Sequence, residues 1–143
     1  MPSFSPDGKR IVYISYQDEK SAGAVYEVEI ATGATRRITS GKSLDFYPSY
    51  TPDMDAIILT RIADDTNGVD DVFLRDRVAG TLVRLSIGPS GGQANGASDT
   101  PSIDEAGTRV AFRSSASNLV AGDDNGVGDV FVRDLATGTT TLI

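Results

Sequence analysis

The chain has 143 residues, and its 20 acidic against 13 basic side chains give a formal net charge of −7. It contains neither cysteine nor histidine, which excludes disulfide bonds, a Ser–His–Asp catalytic triad and a zinc site built on histidine. The acidic balance excludes nucleic acid as the expected partner, because phosphates would be repelled. We also expect no membrane span, since no apolar stretch is long enough to cross a bilayer.

Along the chain, one pattern of residues appears three times. Each unit opens with a Pro-Ser pair, at Pro2, Pro48 and Pro101. An apolar run follows each opener, a second apolar run comes later, and a glycine turn with a polar segment closes the unit. Short strands repeated at this spacing are typical of β-propeller blades.

The third unit shows the expected content of one blade. Strands are predicted over 98–103, 108–114, 129–135 and 139–143, and four antiparallel strands joined by turns make a blade. The second and third strands lack polar–apolar alternation, so both of their faces should be buried between neighbouring blades. The sequence therefore predicts an all-β fold, a β-propeller segment of three four-stranded antiparallel blades, over about 1–42, 43–97 and 98–143.

One turn departs from the pattern of the others. The turn after the first strand of the first unit contains Gly8, and the third unit has Gly107 there, but the second unit has Met54. Glycine tolerates a positive φ that other residues avoid. The second turn must therefore adopt a geometry that methionine accepts, or carry strain.

The loops between the second and third strands of units two and three share the pattern D-x-N-G-x-x-D. Carboxylate and amide oxygens on a sharply turning loop are ligands that Ca²⁺ prefers, which makes a calcium site one prediction. The alternative is a tight Asn-Gly turn whose Asp side chains bond to loop amides, since Ala63 and Ala121 stand where calcium loops carry a first carboxylate. The candidate ligands are Asp65, Asn67 and Asp71 in one loop, and Asp123, Asn125 and Asp129 in the other.

Two stretches of the first unit, 2–13 and 25–33, resemble the TolB-type, WD40-like propeller repeats of bacteria. The third unit, over 114–120 and 126–138, is similar to a variant found in bacterial surface and secreted propellers. The resemblance implies a non-catalytic scaffold or a protein- or ligand-binding module, and it favours a periplasmic or extracellular location. We expect no signal peptide within this sequence, and because an export signal could have been removed from it, the compartment stays open.

Three blades do not make a closed ring, because propellers typically have about four to eight. An open wedge would expose the apolar faces of its end blades, and such patches mark interfaces. TolB-type propellers commonly have six blades, so the resemblance implies that a homodimer would close one ring. The alternative is that the chain is an excised piece of a longer protein.

Two enzymatic alternatives stay open on the sequence. One is a glycosidase-like enzyme with paired carboxylates, for which Asp45 and Asp99 are the candidates, although nothing in their spacing marks them as a pair. The other is the propeller portion of a larger peptidase.

Overall fold

A computed structural model describes residues 1–16, 22–40, 43–62 and 67–143. In the described part no helix is long and apolar enough to cross a membrane. The strands are β1 Ser3–Phe4, β2 Arg10–Ser15, β3 Ala24–Glu29, β4 Thr35–Arg37, β5 Leu44–Tyr50, β6 Ala56–Ile62, β7 Asp71–Asp76, β8 Leu82–Arg84, β9 Ser98–Ile103, β10 Arg109–Ser114, β11 Asp129–Asp134 and β12 Thr140–Leu142.

These strands form three sheets, each of four antiparallel strands in chain order: β1–β4, β5–β8 and β9–β12. The all-β prediction and the prediction of four-stranded antiparallel sheets are confirmed. Within the third sheet the strand ends agree with the predicted ones to within one or two residues.

The first strands of the three sheets lie side by side. Strand β1 packs against β5, and β5 packs against β9. The hydroxyl oxygens of Ser3 and Ser49 approach to 3.4 Å across the first of these contacts. The sheets therefore radiate from an axis lined by their first strands, which is the arrangement of propeller blades.

The core consists of two apolar layers, one on each side of the middle sheet. Ile57 and Leu59 of β6 pack toward the first sheet, whereas Ile58, between them in sequence, packs toward the third. All three side chains are fully buried. Burying one such side chain contributes about 1.5–3 kcal/mol, so the stability of the wedge comes mainly from contacts between sheets.

Met54 occupies the glycine position of its turn without changing the backbone geometry. Its φ is 65°, against 67° at Gly8 and 71° at Gly107. Of the two alternatives, the second turn therefore carries strain. The strain costs about 1–2 kcal/mol. The Met54 side chain packs against the apolar layer between the first two sheets, which offsets part of that cost.

The connection between β8 and β9 is tied to the third sheet by two side-chain amides. The Asn118 side chain accepts from the backbone N–H of Asn95 at 3.0 Å and donates to the carbonyl of Gln93 at 2.8 Å. In return, the Asn95 side chain accepts from the N–H of Ser117 at 2.9 Å. These three hydrogen bonds tie the connection to the third sheet through uncharged groups.

A tight turn inside this connection supplies a test of the backbone geometry. Gly91 has a φ of 75°, whereas Gly92 lies outside the left-handed region, and a Cβ on either would meet nothing within 4 Å. Gly91→Ala should lower the free energy of unfolding by about 1–2 kcal/mol, because alanine strains at positive φ. Gly92→Ala is the matched control and should leave stability unchanged or slightly raised. Urea denaturation of both variants measures the difference, and equal midpoints would contradict the turn geometry.

Candidate functional site

The second unit's acidic loop is held by hydrogen bonds among its own residues and with residues that follow β8. The Asn67 side chain accepts from the N–H of Val69 at 3.1 Å and donates to Asp71 at 3.2 Å. The buried Asp71 carboxylate also accepts from Ser86 at 2.6 Å and from Gln93 at 2.9 Å. The third candidate ligand of this loop, Asp65, lies outside the described residues.

The third unit's acidic loop repeats the same turn with fewer contacts. The Asn125 side chain accepts from the N–H of Val127 at 3.0 Å and donates to Asp129 at 2.9 Å. Asp123 is buried in this loop. Among the described residues no three acidic side chains are grouped so as to hold a metal ion. These contacts are those of an Asn-Gly turn, and the calcium site stays a prediction.

The carboxylates considered for glycosidase chemistry have separate partners. Asp45 is buried and forms a bidentate ion pair with Arg61, at 2.7 and 3.0 Å. Asp99 accepts a hydrogen bond from the neighbouring Thr100 hydroxyl at 3.0 Å. A carboxylate locked in a buried ion pair is poorly placed to exchange protons with a substrate.

Another buried carboxylate, Glu27, joins the first two sheets and was not singled out from the sequence. It accepts from the Tyr50 hydroxyl at 2.6 Å and from the guanidinium groups of Arg36 and Arg77, each at 2.7 Å. Arg77 also lies over the Tyr50 ring, 5.5 Å from its centroid. We call Glu27, Tyr50 and Arg77 the charged joint.

The charged joint shifts the ionisation of its members. Burial acts to raise the pKa of the Glu27 carboxyl, but the hydrogen bonds from Tyr50 and Arg36 and the charge of Arg77 outweigh it. The pKa of Glu27 therefore lies below its ordinary value. Burial, together with the hydrogen bond to Glu27, raises the pKa of Tyr50. At neutral pH the joint thus contains an ionised carboxylate and a protonated phenol.

The pairing of the first strand with the second changes register in the second and third sheets, where the first strands line the axis. Pairing of β5 with β6 shifts between Phe46 and Ser49, and β9 shifts against β10 at the corresponding place. Tyr47 and Thr100, each directly before a proline, have a φ of 49°. Non-glycine residues with positive φ are uncommon and concentrate at functional sites.

These changes of register border two adjoining cavities that we call the mouth. One, of about 330 Å³, is lined by Pro2, Pro48, Pro101 and the residues beside them. The other, of about 500 Å³, shares Met1, Pro2 and Tyr47 with the first and adds Tyr13, Ile14, Tyr16 and Phe46. Tyr16 and Tyr47 are exposed to solvent. The mouth is therefore an aromatic surface beside the axis.

Tyr16, which lines the mouth, follows the end of β2, and the acidic loop of the second unit follows the end of the equivalent strand β6. Leu44, at the start of β5, pairs with Ile62 at the end of β6, from which the acidic loop departs. The turn that contains Met54 lies at the opposite end. The repeated residue-proline-serine openers were the available sequence signal for the mouth, but they did not reveal the backbone conformation.

Comparison with curated proteins gives a likeness in sequence over part of the chain. The Tol-Pal system protein TolB of Francisella tularensis subsp. holarctica (strain OSU18) is 37% identical over 89 residues, covering 60% of this chain. The chain is similar to TolB-type β-propeller proteins. It spans about a fifth of the length of the curated relatives it matches, since the aligned part is 19% of that TolB. No protein-family model matches the chain.

Solved structures show a likeness in fold over nearly the whole chain. The crystal structure of TolB from Acinetobacter baumannii superposes with a TM-score of 0.71 at 22% identity, over 99% of this chain and 31% of that one. An oligogalacturonate lyase in complex with manganese superposes with a TM-score of 0.69 at 12% identity, over 99% of this chain and 40% of that one. At these identities the likeness shows the propeller fold, which hosts binding proteins and enzymes alike.

Glutamine in place of Glu27 tests the charged joint. At neutral pH, Glu27→Gln should lower the free energy of unfolding by about 3 kcal/mol, because Arg77 would lose its buried charge partner. Since the folded pKa is depressed, the stabilisation by Glu27 is present above the ordinary carboxyl value of 4.5 and is lost as the pH falls through the lower folded pKa. The difference in unfolding free energy between Glu27→Gln and wild type should therefore become smaller in acid.

Denaturation curves at neutral and acidic pH measure this gap. Glu29→Gln is the matched control, because Glu29 lies on the same strand and is exposed. A gap for Glu27→Gln that stays constant across pH would contradict an ionised joint.

Proposed function

We propose that the chain is a non-catalytic propeller scaffold that binds a protein or peptide segment at the mouth. The observation that carries the proposal is the exposed side chain of Tyr47, a residue whose backbone has a positive φ. The centroid of its ring lies 6.2 Å from that of the Phe46 ring. A rigid aromatic side chain supplies contact area at little cost in conformational entropy. Aromatic anchors of this kind dominate the energetics of protein interfaces.

Backbone strain supports the choice of the mouth over other surfaces. Tyr47 and Thr100 each carry a conformation that costs about 1–3 kcal/mol, at equivalent places in neighbouring sheets. Met54 is also strained, but its side chain packs in the core, whereas the Tyr47 side chain is exposed, so packing inside the chain does not account for its strain. A strained and exposed aromatic residue is better explained by presentation of its ring to a partner.

The residues favour a binding role over catalysis. The sequence has no histidine or cysteine, and the candidate carboxylate Asp45 is held by Arg61. The enzymatic alternatives, a carboxylate-dependent glycosidase-like enzyme or the propeller portion of a larger peptidase, retain support only from the fold that the chain shares with enzymes. The likeness in sequence is instead to proteins named for the Tol-Pal system.

The same likeness guides the expected partners and location. We propose a protein partner and a periplasmic or extracellular location, in line with the TolB-type relatives. We also propose that two copies of the chain associate as a homodimer that closes a six-bladed ring, as the resemblance to six-bladed TolB-type propellers implies.

Calcium is a second proposed ligand, at the acidic loops. The set is Asp65, Asn67 and Asp71 in one loop, and Asp123, Asn125 and Asp129 in the other, with backbone carbonyls and water completing the shell. The Asn125 and Asp129 side chains would exchange their mutual hydrogen bond for the ion. Few charged ligands mean modest affinity, in the range of about 10⁻⁴–10⁻³ M seen for extracellular modules.

A displayed library of short random peptides, panned on the chain, tests binding at the mouth. Selected peptides should lose about tenfold or more in affinity for Tyr47→Gly, because the aromatic anchor is removed while glycine accepts the positive φ. Val83→Ser, on the exposed strand β8, is the control and should bind as wild type does. Failure to select any peptide, or equal affinity for Tyr47→Gly, would argue against the mouth as a binding site.

Calorimetric titration with Ca²⁺ tests the acidic loops. Wild type should release or absorb heat and should melt at a higher temperature as Ca²⁺ rises, because the ion binds the folded state. Asp129→Ala should weaken both effects, whereas Asp124→Ala, in the same loop but outside the proposed ligand set, should not. No heat and no thermal shift at millimolar Ca²⁺ would leave the Asn-Gly turn as the role of these loops.

A further inference from the structure

The mouth concentrates aromatic rings and is lined by no charged side chain. Three of the chain's five tyrosines and one of its five phenylalanines line the larger cavity, namely Tyr13, Tyr16, Tyr47 and Phe46. Among the described residues, no lysine, arginine or carboxylate side chain lines either cavity. The recognition chemistry of the mouth therefore depends on what its ring faces attract.

Two of these rings are positioned by contacts inside the wedge. Tyr47 belongs to β5 of the middle sheet, and β5 has a neighbouring first strand on each side, β1 and β9. Tyr16 lies at the contact between the first two sheets, where a Cβ on Gly23 would be 2.9 Å from Cε1 of Tyr16 and 2.7 Å from Cδ1 of Leu44. The glycine lets the Tyr16 ring approach the backbone beside the start of β5. Neither ring therefore belongs to the outer face of the first or third sheet.

Elsewhere in the wedge, two aromatic rings have a guanidinium group over their faces. Arg77 lies 5.5 Å from the centroid of the Tyr50 ring, and Arg84 lies 5.2 Å from that of Phe73. The face of an aromatic ring is negative, so it attracts a cation. In the part of the chain that the structure describes, no arginine or lysine lies over the rings that line the mouth. These ring faces can therefore accept a cation from outside the chain.

A carboxylate next to the mouth has no counter-charge. Asp99 directly precedes Thr100, which lines the smaller cavity, and it accepts a hydrogen bond from the Thr100 hydroxyl. Arg113 lies opposite Asp99 by strand pairing, but its guanidinium lies against Gly128 instead. Among the described residues Asp99 forms no ion pair. Together with the net charge of −7, this carboxylate gives the mouth a negative potential that attracts cations.

We propose that the mouth receives an organic cation, and that the partner segment binds there through an arginine side chain. This inference rests on the binding role proposed above and adds the chemistry of the group that the mouth receives. A guanidinium group is flat and more weakly hydrated than an ammonium group, so it stacks on an aromatic face with less loss of hydration. Tyr16, Phe46 and Tyr47 supply the ring faces, and Asp99 supplies the opposite charge. An acidic segment would meet repulsion at the same place.

Two small molecules of nearly the same shape, ethylguanidinium and uncharged ethylurea, test the need for positive charge. In nuclear magnetic resonance titrations, ethylguanidinium should shift the ring resonances of Tyr16 and Tyr47 with an affinity about tenfold or more above that of ethylurea. The Tyr50 resonances are the internal control and should not move, because Arg77 already covers that ring. Added salt should weaken the binding of ethylguanidinium but not that of ethylurea. Equal affinity for the two molecules would overturn the proposal.

Matched variants separate the ring face from apolar area. Tyr47→Leu keeps a large apolar side chain on the same strained backbone but removes the ring, and it should weaken ethylguanidinium binding about threefold or more. Tyr47→Phe keeps the ring and should bind within about twofold of wild type. Asp99→Asn should weaken the binding of ethylguanidinium and leave that of ethylurea unchanged. Circular dichroism shows whether each variant folds, and a folded Tyr47→Leu that binds ethylguanidinium as wild type does would contradict the role of the ring.

The peptides selected by panning carry the test to the partner segment. They should contain arginine, and replacing that arginine by citrulline, which keeps the shape and removes the charge, should lower their affinity about tenfold. Peptides that depend on Tyr47 but lack arginine, or that tolerate citrulline, would overturn the arginine contact and leave the peptide-binding role standing. Failure to select any peptide would overturn the binding role, and with it the arginine of a partner, whatever the small molecules show.

Discussion

Burial of the middle sheet on both faces is the constraint on which the rest of the wedge depends. Consecutive side chains of β6 point in opposite directions, and Ile57, Ile58 and Leu59 are all fully buried. A strand with one solvent-exposed face would alternate between apolar and polar residues, whereas β6 has apolar residues at consecutive positions. A sheet of this kind is stable only between two others, so the position of the first and third sheets follows from the composition of the second. The same requirement makes the uncovered end faces unfavourable for an isolated chain.

The two sheet-to-sheet contacts achieve similar burial by different chemistry. The first places Glu27 against Tyr50 and Arg77, and a buried carboxylate is tolerated because donors from two sheets satisfy it. The second uses Leu74, Ile103 and Leu135 at the equivalent places. Registry between the first two sheets is therefore fixed by directional hydrogen bonds, whereas registry between the second and third depends on shape and on the amides of Asn95 and Asn118.

Local sequence patterns predicted most of the fold, because strand length, turn residues and repeat spacing are properties of neighbouring residues. The strands of the third sheet were predicted nearly to their ends, and the Asn-Gly turns at Asn67 and Asn125 follow from turn chemistry alone. The charged joint was not predicted, since Glu27 meets Tyr50 and Arg77 across 23 and 50 residues of chain. No local pattern reports a contact at that separation.

The mouth was missed for a related reason. Tyr47-Pro48 and Thr100-Pro101 are visible in the sequence as repeated openers, but a residue before proline usually adopts extended geometry. Their left-handed conformation coincides with the shifted pairing of β5 with β6 and of β9 with β10, which depends on the register of whole strands.

The contact between the first two sheets is charged and the contact between the second and third is apolar, so the two contacts respond differently to acid. Acid that protonates Glu27 weakens the contact between the first and second sheets, whereas Leu74, Ile103 and Leu135 at the equivalent places contain no ionisable side chain. The connection between β8 and β9 is held in addition by the Asp71 carboxylate, which accepts from Gln93. The wedge thus has two parts, the first sheet, whose attachment depends on the ionised Glu27, and the second and third sheets, whose equivalent contact is apolar. In native-state hydrogen exchange, the backbone amides of the two parts should become unprotected as separate cooperative units.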